Sequence, residues 1–207
     1  MKKVKPTLVY WLGESLYLNI TNRCSNNCYF CLRNFVDGIA DFKLKLDFEP
    51  EPNDVIKQLI NFINVRHWKE VVFCGFGEPT ANFDCLVEVA KWIRKHHRFI
   101  PIRVDTNGHG YLLNPNRNVH EEMYSAGVTF ISVSLNAPNK EVYNEICRPC
   151  FPEGFDEALN FVKNAKKLLK VEITAVRVPE LVVDDMKRVA ESLGVPLRLR
   201  NYIQLLY

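Results

Sequence analysis

Thr21–Asn34 reads TNRCSNNCYFCLRN, and its three cysteines, Cys24, Cys28 and Cys31, stand in the order C-x3-C-x2-C. The run begins where Ser15–Thr21, an apolar stretch with strand character, comes to its end. Three thiolates on so short a loop can close around one metal centre without help from distant sequence. Their number is informative. A [4Fe–4S] cluster is normally held by four cysteines, so three leave one iron with an open position. Structural zinc asks for four protein ligands, and no cysteine or histidine follows Cys31 within the next thirty residues. A redox pair at Cys28 and Cys31 would leave Cys24 without a role.

The surrounding composition sets the class. Hydrophobic residues make up 47% and charged residues 25% of 207, ordinary values for a chain that buries a core. One domain spanning 1–207 is expected, with residues 1–14 as an N-terminal strand or hairpin extension. A formal charge of +3 is too small an excess to argue for nucleic acid as a partner, and leaves that question open. The opening MKKVKP is basic, but the apolar run behind it is broken by Gly13 and Glu14, too soon for a signal-peptide core or a membrane span. Seven cysteines, an odd number with three in one cluster, suit metal binding in a reducing cytoplasm better than a disulfide framework.

Read in order, the chain alternates. Leu8–Leu12 and Ser15–Thr21 flank Gly13-Glu14 as a small hairpin or one bent strand, and the passage from the cysteine loop to Phe48 reads as irregular. A helix starts near Pro52, with Val55, Ile56, Leu59, Ile60 and Ile63 on its inward face. Lys69–Cys74 is a short apolar strand ending in GFGEPT, and Phe83–His97 is helical. Ile102–Thr106 is a strand closed by the turn signal Asn107-Gly108. Helices at Val119–Ala126, Asn139–Cys147, Gly154–Leu169 and Asp184–Leu193 separate strands at Val128–Leu135, Val171–Val178 and Leu197–Tyr202. Such repetition argues for a parallel sheet with crossover helices. An eight-unit barrel typically needs ~250 residues, whereas six strands are countable here. The expected fold is therefore α/β, a partial (β/α)6 TIM-like open barrel; periodicity alone does not separate it from a flat doubly wound sheet.

In parallel α/β architectures the loops after the strands gather at one end and build the site. The distinctive residues sit at those positions: the cysteine loop after the first strand, Gly75-Phe76-Gly77-Glu78-Pro79-Thr80 after the second, Asp105-Thr106-Asn107-Gly108 at the third, Ser134-Leu135-Asn136-Ala137 at the fourth.

With these motifs the chain resembles the radical S-adenosylmethionine (SAM) superfamily over nearly its whole length. The resemblance implies that Cys24, Cys28 and Cys31 ligate a [4Fe–4S] cluster whose open iron chelates SAM. An electron delivered to that cluster from an external one-electron reductant of the flavodoxin or ferredoxin type then yields methionine and a 5′-deoxyadenosyl radical that abstracts hydrogen from substrate. It implies further that Phe30 lies against the adenine, although an aromatic packing under a loop would look the same. Gly75, Gly77 and Glu78 resemble the family's GGEP motif, with Phe76 in place of its first glycine; their backbone and carboxylate would meet the SAM ammonium group, and Asp105 and Asn107 match a DTNG pattern of cofactor-binding residues whose acidic member, Asp105, would reach the same group. Ser134 and Asn136 fall where ribose contacts are expected. Arg177 and Arg200 could pair with a SAM or substrate carboxylate, while Arg198 reads better as charge protecting an open sheet edge.

Among subfamilies the chain most resembles the TatD-associated radical SAM proteins, which suggests a TatD-type hydrolase in the same pathway. The resemblance leaves the substrate open among peptide or protein, RNA and small molecule, the last as in enzymes resembling 7-carboxy-7-deazaguanine synthase. No auxiliary-cluster domain of the usual kind is expected within this length. Cys74, Cys85, Cys147 and Cys150 read as structural or incidental, and His96 and His97 as a favourable contact with a helix end. Two other classes compete: a non-catalytic cysteine–metal binding module, and a thiol oxidoreductase that would keep its activity after loss of Cys24.

Overall fold

The computed structural model describes residues 6–202. Strand β1 (Val9–Leu12) turns through Gly13, whose φ of +57° suits glycine, and pairs antiparallel with β2 (Ser15–Leu18). The hairpin alternative thus holds, while the strand expected to reach Thr21 stops at Leu18. The passage toward Phe48 is less irregular than expected, since β3 (Gly38–Ile39) and β4 (Phe42–Lys43) form a minimal hairpin within it.

From there strands and helices alternate. Helix α1 (Pro52–Ile63) is followed by β5 (Glu70–Phe73), α2 (Phe83–His96) by β6 (Ile102–Thr106), and the short α3 (Gly110–Leu113) and α4 (Val119–Ser125) by β7 (Phe130–Ser134). Then come α5 (Lys140–Cys147), α6 (Gly154–Ala165), β8 (Lys170–Arg177), α7 (Val183–Leu193) and β9 (Leu197–Asn201). The main sheet runs β1-β2-β5-β6-β7-β8-β9, and every pair after the first is parallel. Six parallel strands in sequence order, with helices returning between them, make an open, partial barrel of the expected kind, in which no strand pairs β1 with β9 among the described residues.

Local sequence explains the helix limits. Proline at the first position of α1 lacks only an N–H that would have been unpaired, and the Asp54 carboxylate accepts from Glu51 N at 3.1 Å. Val55, Leu59 and Ile63 face the core, whereas Ile60, expected with them, is 50% exposed. Helix α6 ends at Ala165, four residues before the expected Leu169, where Lys166–Leu168 turn the chain so that Leu169 enters the core just ahead of β8. At the end of α2, His96 places Nδ1 2.8 Å from the Trp92 carbonyl, in keeping with the expected helix-end contact.

Alternation along each strand separates two faces. Val71, Phe73, Ile102, Val104, Ile131, Val133, Ile173 and Ala175 are buried beneath the helices in the main core. The other, concave face carries Tyr17, Glu70, Arg103, Asp105, Ser132, Ser134, Glu172, Thr174, Arg198 and Arg200, brought level by register such as Asp105 opposite Ser132 and Ser132 opposite Glu172. Its β1–β2 end is filled: Tyr10 stacks on Tyr17 at 5.0 Å, and Tyr10, Leu44 and Phe76 form a second small core. Toward β9 the concave face stays polar. No helix among the described residues is long and apolar enough to cross a membrane.

Candidate active site

The cysteine loop leaves the carboxyl end of β2 and is fastened on three sides. Asn19, fully buried, donates from Nδ2 to Leu44 O at 2.7 Å and to Thr7 O at 3.2 Å, while its Oδ1 accepts from Phe76 N at 3.4 Å. Asn22 exchanges hydrogen bonds with the backbone of Leu46 at 2.7 and 3.1 Å. On the far side the loop lies along the end of α5: Asn27 N donates to Cys147 O at 3.0 Å, Tyr29 N to Ile146 O at 3.2 Å, and Cys150 N to Ser25 O at 2.8 Å. The Cys147–Cys150 segment is therefore a dock for the loop.

Gly75 and Gly77 show why the second loop is glycine-rich. A Cβ on Gly75 would lie 2.0 Å from Asn19 Oδ1, and one on Gly77 would lie 2.4 Å from Thr21 O and 2.7 Å from Arg23 O. The missing side chains let the loop after β5 press against the cysteine loop. Phe76, the departure from the resembled motif, fills the second core. We expect Gly77→Ala to destabilise the fold by about 2 kcal/mol, a typical overpacking cost, because the obstructing atoms are backbone; urea unfolding of the variant measures it.

Glu78 is 3% exposed and fully engaged in tying loops together. Its Oε1 accepts from Thr80 N at 3.0 Å, Thr80 Oγ1 at 2.7 Å and Thr106 Oγ1 at 2.7 Å, and its Oε2 from Asn107 N at 2.6 Å. Burial pushes the carboxyl above its usual range, and these four donors pull the other way. Asn136, in the left-handed region at φ +61°, clips β7 to β8 by accepting from Val176 N at 3.1 Å and donating to Ser134 O at 3.1 Å. Phe30 is buried in the main core with its ring edge-on to Tyr29. Glu78, Asn136 and Phe30 thus frame the site from within the protein.

The arginines divide. Arg177 shares its parity with Val171, Ile173 and Ala175 and is exposed, so it stands on the face opposite Arg198 and Arg200 and does not join Arg200 on the concave side as expected. Arg198 stands on the edge strand β9 with its side chain 44% exposed, which keeps a charge at that edge as expected. Its guanidinium turns inward to Glu172 at 2.7 Å and to Ser132 Oγ at 3.1 Å. Arg200 reaches Ser134 Oγ at 3.2 Å, and its Nε has no hydrogen-bond partner. Asp105 lies 3.5 Å from Arg103, with Oδ1 lacking an aligned donor; burial pushes its carboxyl up while Arg103, Arg198 and Arg200 pull it down. Buried polar atoms without partners, on a concave face at the end of parallel strands, are what a polar ligand would satisfy.

Cys24, Cys28 and Cys31 are all free and partly exposed. Burial pushes the Cys24 thiol up to about 12 and raises Cys31 as well, while the contact with the Cys147 thiol lowers Cys28. Arg33 lies among them, its guanidinium donating to Asn26 O at 2.9 Å and Asn22 O at 3.3 Å. It places a cation where thiolates would gather. Among the described residues no three or more His, Cys, Asp or Glu side chains are arranged to hold a single metal ion. A cubane cluster differs from a single ion in binding each thiolate through a separate iron, so its ligands surround a volume and need not meet at a point. The donor set fits that group: three unpaired sulfurs, a neighbouring cation, and thiol protons to release on metal binding.

The chain matches the model of the radical SAM superfamily over residues 18–193. It belongs to that superfamily. Members of this superfamily use a [4Fe–4S] cluster with S-adenosylmethionine and generally need an external reductant. The chain is 27% identical over 199 residues to the "Probable GTP 3′,8-cyclase" of Methanocaldococcus jannaschii, covering 93% of this radical SAM chain and 60% of that protein. Against the protein of the same name from Thermococcus kodakarensis the identity is 26%, over 89% of this chain and 55% of the relative. The chain thus spans little more than half the length of these curated relatives. Among solved structures, SuiB of Streptococcus suis superposes with a TM-score of 0.68 at 16% identity, over 93% of this chain and 40% of that one. The hydrogenase maturase HydG of Carboxydothermus hydrogenoformans gives 0.64 at 18%, over 93% and 44%. At those identities the structures speak for the fold, a radical SAM partial barrel. The TatD-associated subfamily expected from sequence is not confirmed, because these relatives are named GTP 3′,8-cyclases.

The sequence reading missed Asn19, Asn22, Ser25, Arg33 and His109. Asn19, Asn22, Ser25 and Arg33 lie in or beside the cysteine motif, where polar residues pass for loop filler. His109 stands alone, and nothing in its neighbours announces that it is buried.

Proposed function

We propose that this chain is a radical SAM enzyme core in which Cys24, Cys28 and Cys31 each bind one iron of the cluster. The observation that carries the reading is three free, partly exposed thiols on one fastened loop at the carboxyl end of a parallel sheet. The bound cluster and SAM would supply a 5′-deoxyadenosyl radical. This chain's own residues hold, orient and shield: the backbone of Gly75 and Gly77, with Asp105, meets the SAM ammonium group, Ser134 faces its ribose, and Phe30 backs the adenine. Glu78, Asn107 and Asn136 act one step behind, by fixing the loops. Arg177 is left out of the site.

For substrate, the relatives' names favour a purine nucleotide over a peptide or a 7-carboxy-7-deazaguanine-type small molecule. Arg200, whose Nε has no partner, suits an anionic group on the concave face, while Arg103 and Arg198 beside it are already paired with Asp105 and Glu172. A TatD-type hydrolase as partner gains no support from the relatives. With the reducing loop chemistry, a cytoplasmic setting and a flavodoxin- or ferredoxin-type reductant remain the consistent choices.

Anaerobic reconstitution tests the reading. Wild type is expected to hold about four irons per chain, as a [4Fe–4S] cluster requires, and to form 5′-deoxyadenosine from SAM with dithionite, faster when GTP is the productive substrate. Cys24→Ala, Cys28→Ala and Cys31→Ala should each lose the cluster and the product. One equivalent of zinc and no SAM cleavage would instead indicate a binding module, and full activity in Cys24→Ala a thiol oxidoreductase.

A further inference from the structure

Asn107, the residue that follows β6, is buried and touches more of the cysteine loop than any motif predicts. Its Nδ2 donates to Ser25 Oγ at 2.9 Å and reaches Cys24 Sγ at 3.8 Å, while its Oδ1 accepts from His109 N at 2.9 Å. Ser25 Oγ lies 2.9 Å from His109 Nδ1, and His109 Nε2 lies 2.9 Å from the Tyr143 hydroxyl, which accepts from Asn26 Nδ2 at 3.0 Å. Asn26 N closes the circuit by donating to Cys24 Sγ at 3.4 Å. A neutral imidazole serves this arrangement, accepting at one nitrogen and donating at the other. The ring has no room to turn away, since a Cβ on Gly154 would already lie 2.8 Å from it.

The circuit therefore starts and ends on one sulfur, through residues of the cysteine loop, the β6 loop and α5. Cys28 and Cys31 take no part in this circuit. Hydrogen bonds aimed at a cluster's ligand sulfurs stabilise its more negative, reduced state, and residues behind the ligands set that orientation.

We propose that Asn107 is a positioning residue that, held by the Ser25–His109–Tyr143 relay, keeps its amide on Cys24 and raises the reduction potential of a cluster bound there. The inference rests on the assignment of Cys24 as a cluster ligand.

The test is a reductive titration, followed by electron paramagnetic resonance without SAM, of reconstituted wild type, Asn107→Ala, Ser25→Ala and Tyr143→Phe. Midpoints should move to more negative potential, most in Asn107→Ala, less in Ser25→Ala and least in Tyr143→Phe, at equal iron per chain. A relay that only supports the fold would lower the melting temperature and leave every midpoint at the wild-type value, which overturns the inference. If Asn107→Ala does not retain iron, Ser25→Ala and Tyr143→Phe decide, because both keep the amide and release only its orientation. Wild type without a four-iron cluster would remove the assignment of Cys24 and this inference with it. A wild-type cluster with coincident variant midpoints would remove this inference alone.

Discussion

Glu78→Ala is expected to cost the fold about 4 kcal/mol and to lower Tm by roughly 10 °C. The expectation follows from who donates to this carboxylate. Thr80 N lies in the tight turn that Glu78 opens and Asn107 N directly follows β6, so both are fixed backbone groups, and neither can turn to another acceptor when the side chain is removed. The hydroxyls of Thr80 and Thr106 can rotate, so they contribute less to the loss. Glu78→Gln separates charge from shape. It keeps one oxygen for the threonine side and sets an amide NH2 against Asn107 N, so about half the loss is expected. Urea unfolding of the two variants measures both. An unchanged midpoint in Glu78→Ala would mean that the loop donors find other partners, and that Glu78 is spare for a ligand.

A second large effect concerns acid. Burial holds the His109 imidazole at about 4, against 6.5 for an exposed histidine. Between those values the unfolded chain binds a proton that the folded chain refuses, so stability is full above pH 6.5 and falls as pH drops toward 4. Each unit is worth about 1.4 kcal/mol, which makes the loss about 2 kcal/mol at pH 5 and about 3 kcal/mol once both states are protonated. His109→Gln, which keeps a donor and an acceptor but does not titrate, should be less stable at pH 7 and should lack this part of the acid slope. Parallel slopes for wild type and variant between pH 7 and 5 would show that the acid sensitivity arises elsewhere.

Both predictions concern residues that sequence reading treated differently. Glu78 stood out through its motif, but as a ligand contact; its four internal donors come from loops 2 and about thirty residues away, and spacing does not show them. His109 did not stand out at all. The cysteine loop was legible because its three sulfurs lie within eight residues, so local spacing alone constrains what they can surround. Arg177 and Arg200 show the opposite case. On neighbouring strands a shift of one residue exchanges faces, and register is a property of the assembled sheet.

The sequence by itself determined the alternation of strand and helix, the six parallel strands, and the loop ends at which the distinctive motifs gather, because each depends on periodicity and turn chemistry within a few residues. The tertiary structure alone decided which polar groups spend their hydrogen bonds inside the protein and which are left facing the concave side. Glu78, Asn136 and Asn107 are bound by partners distant in the chain, whereas Arg200 and Asp105 keep atoms without partners. The physical reason is that a short-range pattern fixes an element and its faces, while the satisfaction of a buried polar atom depends on whatever other segment packing brings against it.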